Sequence, residues 1–307
     1  MKKVKKKSSG FIYALIWLCA VMILPFIVRA ELKNVLPGDS NCDGIVNAMD
    51  VITAVNHILG HNPQPFCFEN ADVNGDGYVN VMDVIETVNI ILGGSLFECG
   101  ISTITDADNN VYNTVLIGDQ CWMKENLKTT KYRDGTDIPN VTNSSAWVNL
   151  TSGAYCWYDN SFFWKDYYGA LYNWYATDPA SNGNNQLCPE GWRVPTDQDY
   201  TTLSTYLGGT LHGGGKMKST RTDPDPHPRW LAPNTGATNE SEFTALPAGS
   251  RVWNGSFSAM GTYCWLWTST TQETIFAYLR NLRHNSAILD RGSINKNNGQ
   301  SVRCVKE

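Results

Sequence analysis

Residues 39–60 read DSNCDGIVNAMDVITAVNHILG and residues 72–93 read DVNGDGYVNVMDVIETVNIILG, one loop-then-helix unit written twice with an offset of about 33 residues. Each copy sets an oxygen-bearing side chain at loop positions one, three, five, nine and twelve. These are Asp39, Asn41, Asp43, Asn47 and Asp50 in the first copy, and Asp72, Asn74, Asp76, Asn80 and Asp83 in the second. Gly44 and Gly77 fall at position six, where the chain must turn sharply, and the carbonyls of Ile45 and Tyr78 at position seven add a backbone oxygen. Ca²⁺ takes about six to eight oxygen ligands, and this spacing wraps them around one ion per loop, two ions in all. A solvated acidic turn explains one such loop almost as well. Two in-register copies, each followed by the same apolar helix, favour the metal reading.

The helices after the loops repeat as faithfully. Val51, Ile52, Val55, Ile58 and Leu59 recur as Val84, Ile85, Val88, Ile91 and Leu92, a spacing that predicts one buried face per helix. Gly60 and Gly93 stand where a helix C-terminal cap is expected. A unit of about 60 residues has little core, so bound ions are expected to supply much of its stability.

A usual EF-hand has a helix before its loop and Glu at position twelve. Here the loops open after Pro37-Gly38 and after Asn70-Ala71, and position twelve is Asp. With those departures, residues 36–98 resemble a type I dockerin, a calcium-binding module that docks onto a cohesin domain of a scaffold or surface protein. The resemblance places the cohesin contact at positions ten and eleven: Ala48 and Met49 in one copy, Val81 and Met82 in the other. Paired Met residues suit an adaptable apolar contact, and they equally suit ordinary core filling.

The chain begins MKKVKKKSSG, runs apolar from Phe11 to Val28, and continues Arg29-Ala30. That is the pattern of a secretory signal over residues 1–30, with a retained membrane anchor as the alternative. Both readings place the remainder outside the cytoplasm, secreted or associated with the cell surface. Without Cys19, eight cysteines remain, three in the front part and five beyond it. An even number in an exported chain suggests disulfides, and this split requires either a bridge across the boundary or two free thiols. A formal net charge of −5 and the lack of a basic stripe exclude nucleic acid as an expected partner.

Beyond Ile101 the composition shifts to Trp, Tyr, Gly, Asn and Thr, which predicts short strands and ordered loops. One helix is expected: Thr196 caps it, Leu203, Tyr206 and Leu207 face inward, and Gly208-Gly209 ends it. The stretches TDADNNVYNTVLIGDQCWMKENLKTTKY from Thr105, YGALYNWYA from Tyr168, LCPEGWRVPTDQDYTTL from Leu187, PNTGATNESEFTALPAG from Pro233, WTST from Trp267 and SVRCV from Ser301 are similar to the Fibrobacter succinogenes major paralogous domain over residues 101–307. The entry into the Thr196 helix and the Arg303-Cys304 ending also resemble the C-type lectin-like and formylglycine-generating-enzyme superfamily. These resemblances imply a multidomain chain: a small all-α duplicated calcium module, then an α+β C-type lectin-like domain with short antiparallel strands and its chain ends together. In that superfamily's enzymes a cysteine pair does the chemistry. Cys264 and Cys304 lie near the matching end, and for Cys304 a structural disulfide, with Cys188, is the plainer expectation.

Trp122, Trp157, Trp174, Trp192, Trp265 and Trp267 are expected mostly as core. Aromatics around Trp147, Tyr155 to Tyr158 and Trp164 to Tyr168, with Asp159, Asn160 and Asp166, are the candidates for a carbohydrate or protein groove. No metalloprotease, nucleophile-elbow or phosphate-loop motif occurs, no zinc spacing exists among the cysteines and histidines, and no catalytic residue is assigned. The first functional reading is an exported, non-catalytic binding protein docked through cohesin. The alternative is a dockerin-borne hydrolase of a polysaccharide-degrading complex, its acids contributed by separate loops.

Overall fold

The computed structural model describes residues 35–93 and 97–307. The chain divides between residues 96 and 97 into two compact units. The expected signal or anchor segment lies outside the described residues. Among those described, no helix is long and apolar enough to cross a membrane.

In the first unit the repeated helices span Ala48–Ile58 and Val81–Ile91. Local chemistry fixes where both begin. The Asn47 side chain accepts from the Met49 N–H, while Asp50 accepts from the Asn47 N–H, and Asn80 with Asp83 repeats that box. Gly60 and Gly93, at φ of 79° and 81°, end them in the left-handed region. A single helical turn, Phe68–Ala71, leads into the second loop, where the sequence suggested none. Its position is set by the Cys42–Cys67 disulfide and by the Cys67 N–H donating to the Ser40 carbonyl. By closing the intervening loop, that disulfide contributes on the order of 3 kcal/mol.

The repeated apolar stripe does not face inward. Asp50 and Ala54 are buried on one helix and Asp83 and Thr87 on the other, whereas Ile52, Val55, Ile58 and Leu59 and their counterparts Ile85, Val88, Ile91 and Leu92 are exposed. The reason is rotational. Asp50 must turn inward to hold the loop backbone, and at 3.6 residues per turn Ile52 and Leu59 lie roughly 200° and 180° away from it. Val51 and Val84 at the edge are half-buried. The small interior is polar: Asn70 donates to the Asp39 carbonyl, and the Ser40 hydroxyl donates to the Asp50 carbonyl.

The second unit is β-rich. Strands β1 (Thr103–Thr105), β2 (Val111–Ile117), β3 (Gln120–Met123), β12 (Val305–Lys306) and β6 (Trp192–Arg193) form one sheet in the order β1-β2-β3-β12-β6, with every pairing antiparallel. The start and end of the unit therefore share a sheet. Strands β9 (Tyr263–Thr271), β10 (Phe276–Arg283) and β11 (Asp290–Asn295) form an antiparallel second sheet in the order β11-β10-β9. Two short pairs complete the set: β4 (Tyr155–Cys156) with β5 (Leu171–Tyr172), and β7 (Ser250–Arg251) with β8 (Phe257–Ser258).

The expected helix is present as Asp197–Tyr206, closed at its start by a Thr196 and Asp199 capping box. Leu203 and Leu207 are buried with Tyr200, but Tyr206 is exposed and its ring lies over Gly118 in the β2–β3 turn, where any Cβ would come within 2.9 Å of it. A following helix, Thr210–Met217, was not anticipated because it contains three consecutive glycines. Packing explains them: a Cβ on Gly214 would meet the Ile288 carbonyl oxygen at 2.4 Å.

Aromatic rings dominate the interior. Trp122, Trp157, Trp174, Trp192 and Trp267 are buried, and Trp265 is half-buried with its ring stacked on Tyr263 at 4.6 Å. Trp147 and Tyr155, expected among groove candidates, are core as well; the Trp147 indole N–H donates to the Asn297 carbonyl at 2.6 Å. Disulfides join Cys99 to Cys121 and Cys188 to Cys304, the latter being the pairing the resemblance pointed to. Of the two outcomes left open by the cysteine split, the free thiols occur, and no disulfide among the described residues crosses between the units. Cys99 itself belongs to the second unit, where Cys156 and Cys264 remain as buried thiols.

Candidate functional site

In the first loop, Asp39 accepts from the Asp43 and Gly44 N–H groups, both at 3.0 Å. Asn41 Oδ1 accepts from Asp43 N–H at 2.9 Å, and Asp43 Oδ1 accepts from Ile45 N–H at 2.8 Å. The buried Asp50 closes the circuit by accepting from Asn41 N–H at 3.1 Å and Asn47 N–H at 2.8 Å. The second loop repeats the pattern through Asp72, Asn74, Asp76 and Asp83, with Asp83 also accepting from the Val73 N–H. Gly44 and Gly77 take the positive φ that the position-six turn requires, 85° and 84°.

Asparagine amide nitrogens take up further loop oxygens. Asp43 Oδ2 lies 2.9 Å from the Asn41 amide nitrogen, and the Ile45 carbonyl lies 3.3 Å from that of Asn47. In the second loop, Asp76 Oδ2 lies 3.2 Å and 3.4 Å from the Asn74 and Asn80 amides. The nitrogens of these amides face the carboxylates and the carbonyl because their oxygens are taken by backbone N–H groups, Asn41 by Asp43, Asn74 by Asp76, Asn47 by Met49 and Asn80 by Met82. Asp43 Oδ2, Asp76 Oδ2 and the Ile45 carbonyl are oxygens of the hard type that suits Ca²⁺. Among the described residues no group of three or more His, Cys, Asp or Glu side chains is set to hold a metal. A calcium shell here would draw on carbonyls as well as on carboxylates.

Beside each loop lies the exposed apolar stripe. Met49, Val81 and Met82 are 56%, 63% and 50% exposed, and Ala48 is exposed too. They are continuous along their helices with Ile52, Val55 and Leu59, and with Ile85, Val88 and Leu92. Sequence reasoning singled out the first four residues, as a partner contact or as core filling, and assigned the rest to the core. The missed signal was the position-twelve Asp, which had to point inward.

In the second unit, the cysteine pair of the superfamily's enzymes has no counterpart. Cys304 is bridged to Cys188, and burial pushes the Cys264 thiol up to about 12. Of the groove candidates, Tyr168 is buried, Trp164 and Tyr167 are half-buried, and Asp159, Asn160 and Asp166 are exposed. Hydrogen bonding to Lys128 at 2.9 Å holds the Asp166 carboxyl below its ordinary range.

Comparison with known families gives two matches. A family described as the Fibrobacter succinogenes major domain matches residues 115–306, and the type I dockerin domain matches residues 37–92. No curated protein and no solved structure matches the chain.

Proposed function

Because the chain belongs to the Fibrobacter succinogenes major domain family and carries a type I dockerin domain, we propose that it is an exported, non-catalytic binding protein held in a complex by a cohesin domain. Residues 1–30 serve as the export signal. Three disulfides fit a chain that folds outside the cytoplasm. Two Ca²⁺ ions organise the front module, one bound by Asp39, Asn41, Asp43, Ile45, Asn47 and Asp50, the other by Asp72, Asn74, Asp76, Tyr78, Asn80 and Asp83. Type I dockerin domains bind calcium in general, and the oxygen sets of both loops suit it. The second unit, read as C-type lectin-like for its shared end strands and long loops, binds glycan or protein.

The observation that carries the docking part is the pair of equivalent apolar stripes left exposed on a module too small to waste them. Ala48, Met49, Val81 and Met82 with their neighbours form the cohesin contact, and the ions fix the loops that set those helices. Replacing Asp39 and Asp72 together by Ala removes a carboxylate from each loop and is expected to abolish calcium-dependent capture by cohesin. Capture at wild-type strength by that double variant would refute the proposal.

A further inference from the structure

In a chain of formal net charge −5, one cleft of the second unit gathers cations. It measures about 280 Å³, near the lower end of ligand-sized cavities, and its walls present Lys124, Lys128, Lys165 and Arg221 beside Tyr167 and Tyr168. Lys124 and Lys128 are paired at 2.9 Å to Glu242 and Asp166, acids that are themselves largely exposed. Lys165 and Arg221 make no ion pair with a described carboxylate. The Lys165 ammonium rests 5.4 Å from the Phe162 ring and 6.0 Å from that of Trp157, and Arg221 donates to the Pro226 carbonyl.

The cleft is built, not incidental. Asn126, buried at its back, donates to the Tyr168 carbonyl at 2.9 Å and accepts from the fully buried Arg303 at 3.0 Å, and Arg303 also donates to the Thr244 carbonyl. A Cβ on Gly169 would lie 2.8 Å from the Leu127 carbonyl oxygen, so segments 124–128 and 165–169 meet backbone to backbone. At the rim, Tyr168 Oη lies 2.7 Å from His227 Nδ1, and burial with the Arg229 and Arg221 charges holds that imidazole below its ordinary pKa. Four cations and two carboxylates, Glu125 and Asp166, line the cleft.

Given that the second unit binds glycan, we propose that this cleft takes the uronate residue of an acidic polysaccharide. Lys165 and Arg221 hold the sugar carboxylate by charge-assisted hydrogen bonds. Tyr167 packs on the ring, and Asp166, Ser219 and Thr244 meet its hydroxyls. A neutral glycan would cover two cations without pairing them, which is costly. An acidic peptide brings few hydroxyl groups for Asp166, Ser219 and Thr244 to meet.

The test is calorimetric titration of the full chain with a galacturonate pentamer, a cellulose pentamer and a pentaglutamate peptide, repeated on the Lys165→Gln/Arg221→Gln variant. The galacturonate pentamer should bind, and the variant should weaken it about tenfold or more while melting at an unchanged temperature. Equal binding of the two sugar pentamers, undiminished in the variant, would overturn the acidic site and leave the glycan reading standing. Tighter binding of the peptide would overturn the ligand class. Binding of neither sugar would overturn both readings. Should the double variant lose its fold, Lys165→Gln alone decides, with weakened galacturonate binding in support and unchanged binding against.

Discussion

Replacing Asp50 by Ala tests how the first loop is tied to its helix. The carboxylate is fully buried, accepts two backbone N–H bonds at 3.1 Å and 2.8 Å, and forms half of the capping box. A hydrogen bond to a charged group contributes about 1.5–3 kcal/mol, and a lost cap costs about 1 kcal/mol. The Asn47 bond belongs to both counts, so the expected loss is about 3 kcal/mol before any effect on an ion. At about 1.4 kcal/mol per tenfold, amides of residues 39–60 should exchange with solvent on the order of 100-fold faster than in the wild-type chain. Hydrogen exchange read by mass spectrometry, on the full chain in saturating calcium, measures this directly. An acceleration under about fivefold would mean that Asp50 does not hold the loop, and the rotational account of the exposed stripe would fail with it.

Further outcomes are expected elsewhere. Asp substituted at Met49 and Ile52, or at Met82 and Ile85, should leave cohesin binding measurable by surface plasmon resonance if either stripe suffices, and the four substitutions together should abolish it; survival of binding in the quadruple variant would place the contact elsewhere. Cys156 and Cys264 should resist iodoacetamide in the native chain at pH 8 and be the two sites labelled among residues 35–307 after unfolding without reductant, because burial pushes both thiols up to about 12. Since those folded values stand above the unfolded value of 9.0, the stability they contribute is complete below pH 9 and falls as pH rises towards 12, by up to about 4 kcal/mol per thiol. Denaturant midpoints that fall no more steeply between pH 8 and pH 11 in the wild-type chain than in the Cys156→Ala/Cys264→Ala variant would contradict this.

How far the sequence could be read depended on the range of the interaction involved. The loops arise within a dozen residues, so spacing located them, but it marked Asn47 and Asn80 only as loop oxygens and missed that they cap the helices. Periodicity marked an apolar stripe but not which way it turned, and the buried Asp50 and Asp83 decided that. The Thr196 helix was legible because its capping box is local, whereas Thr210–Met217 was hidden by glycines. Each glycine costs a helix about 1 kcal/mol relative to Ala, and only the distant Ile288 carbonyl shows why Gly214 is needed. Composition announced an aromatic core without saying which rings entered it; Trp147 does so because its indole N–H finds the carbonyl of Asn297, far along the chain. The cations of the cleft come from three separate segments, and no spacing links them.

The most direct measurement is calorimetric titration of the EDTA-stripped chain with calcium. Two ions per chain are expected, one in the Asp39→Ala variant, and none when Asp39 and Asp72 are both Ala. A flat trace for the wild-type chain, with heat resistance unchanged by the metal, would contradict a calcium-built docking module.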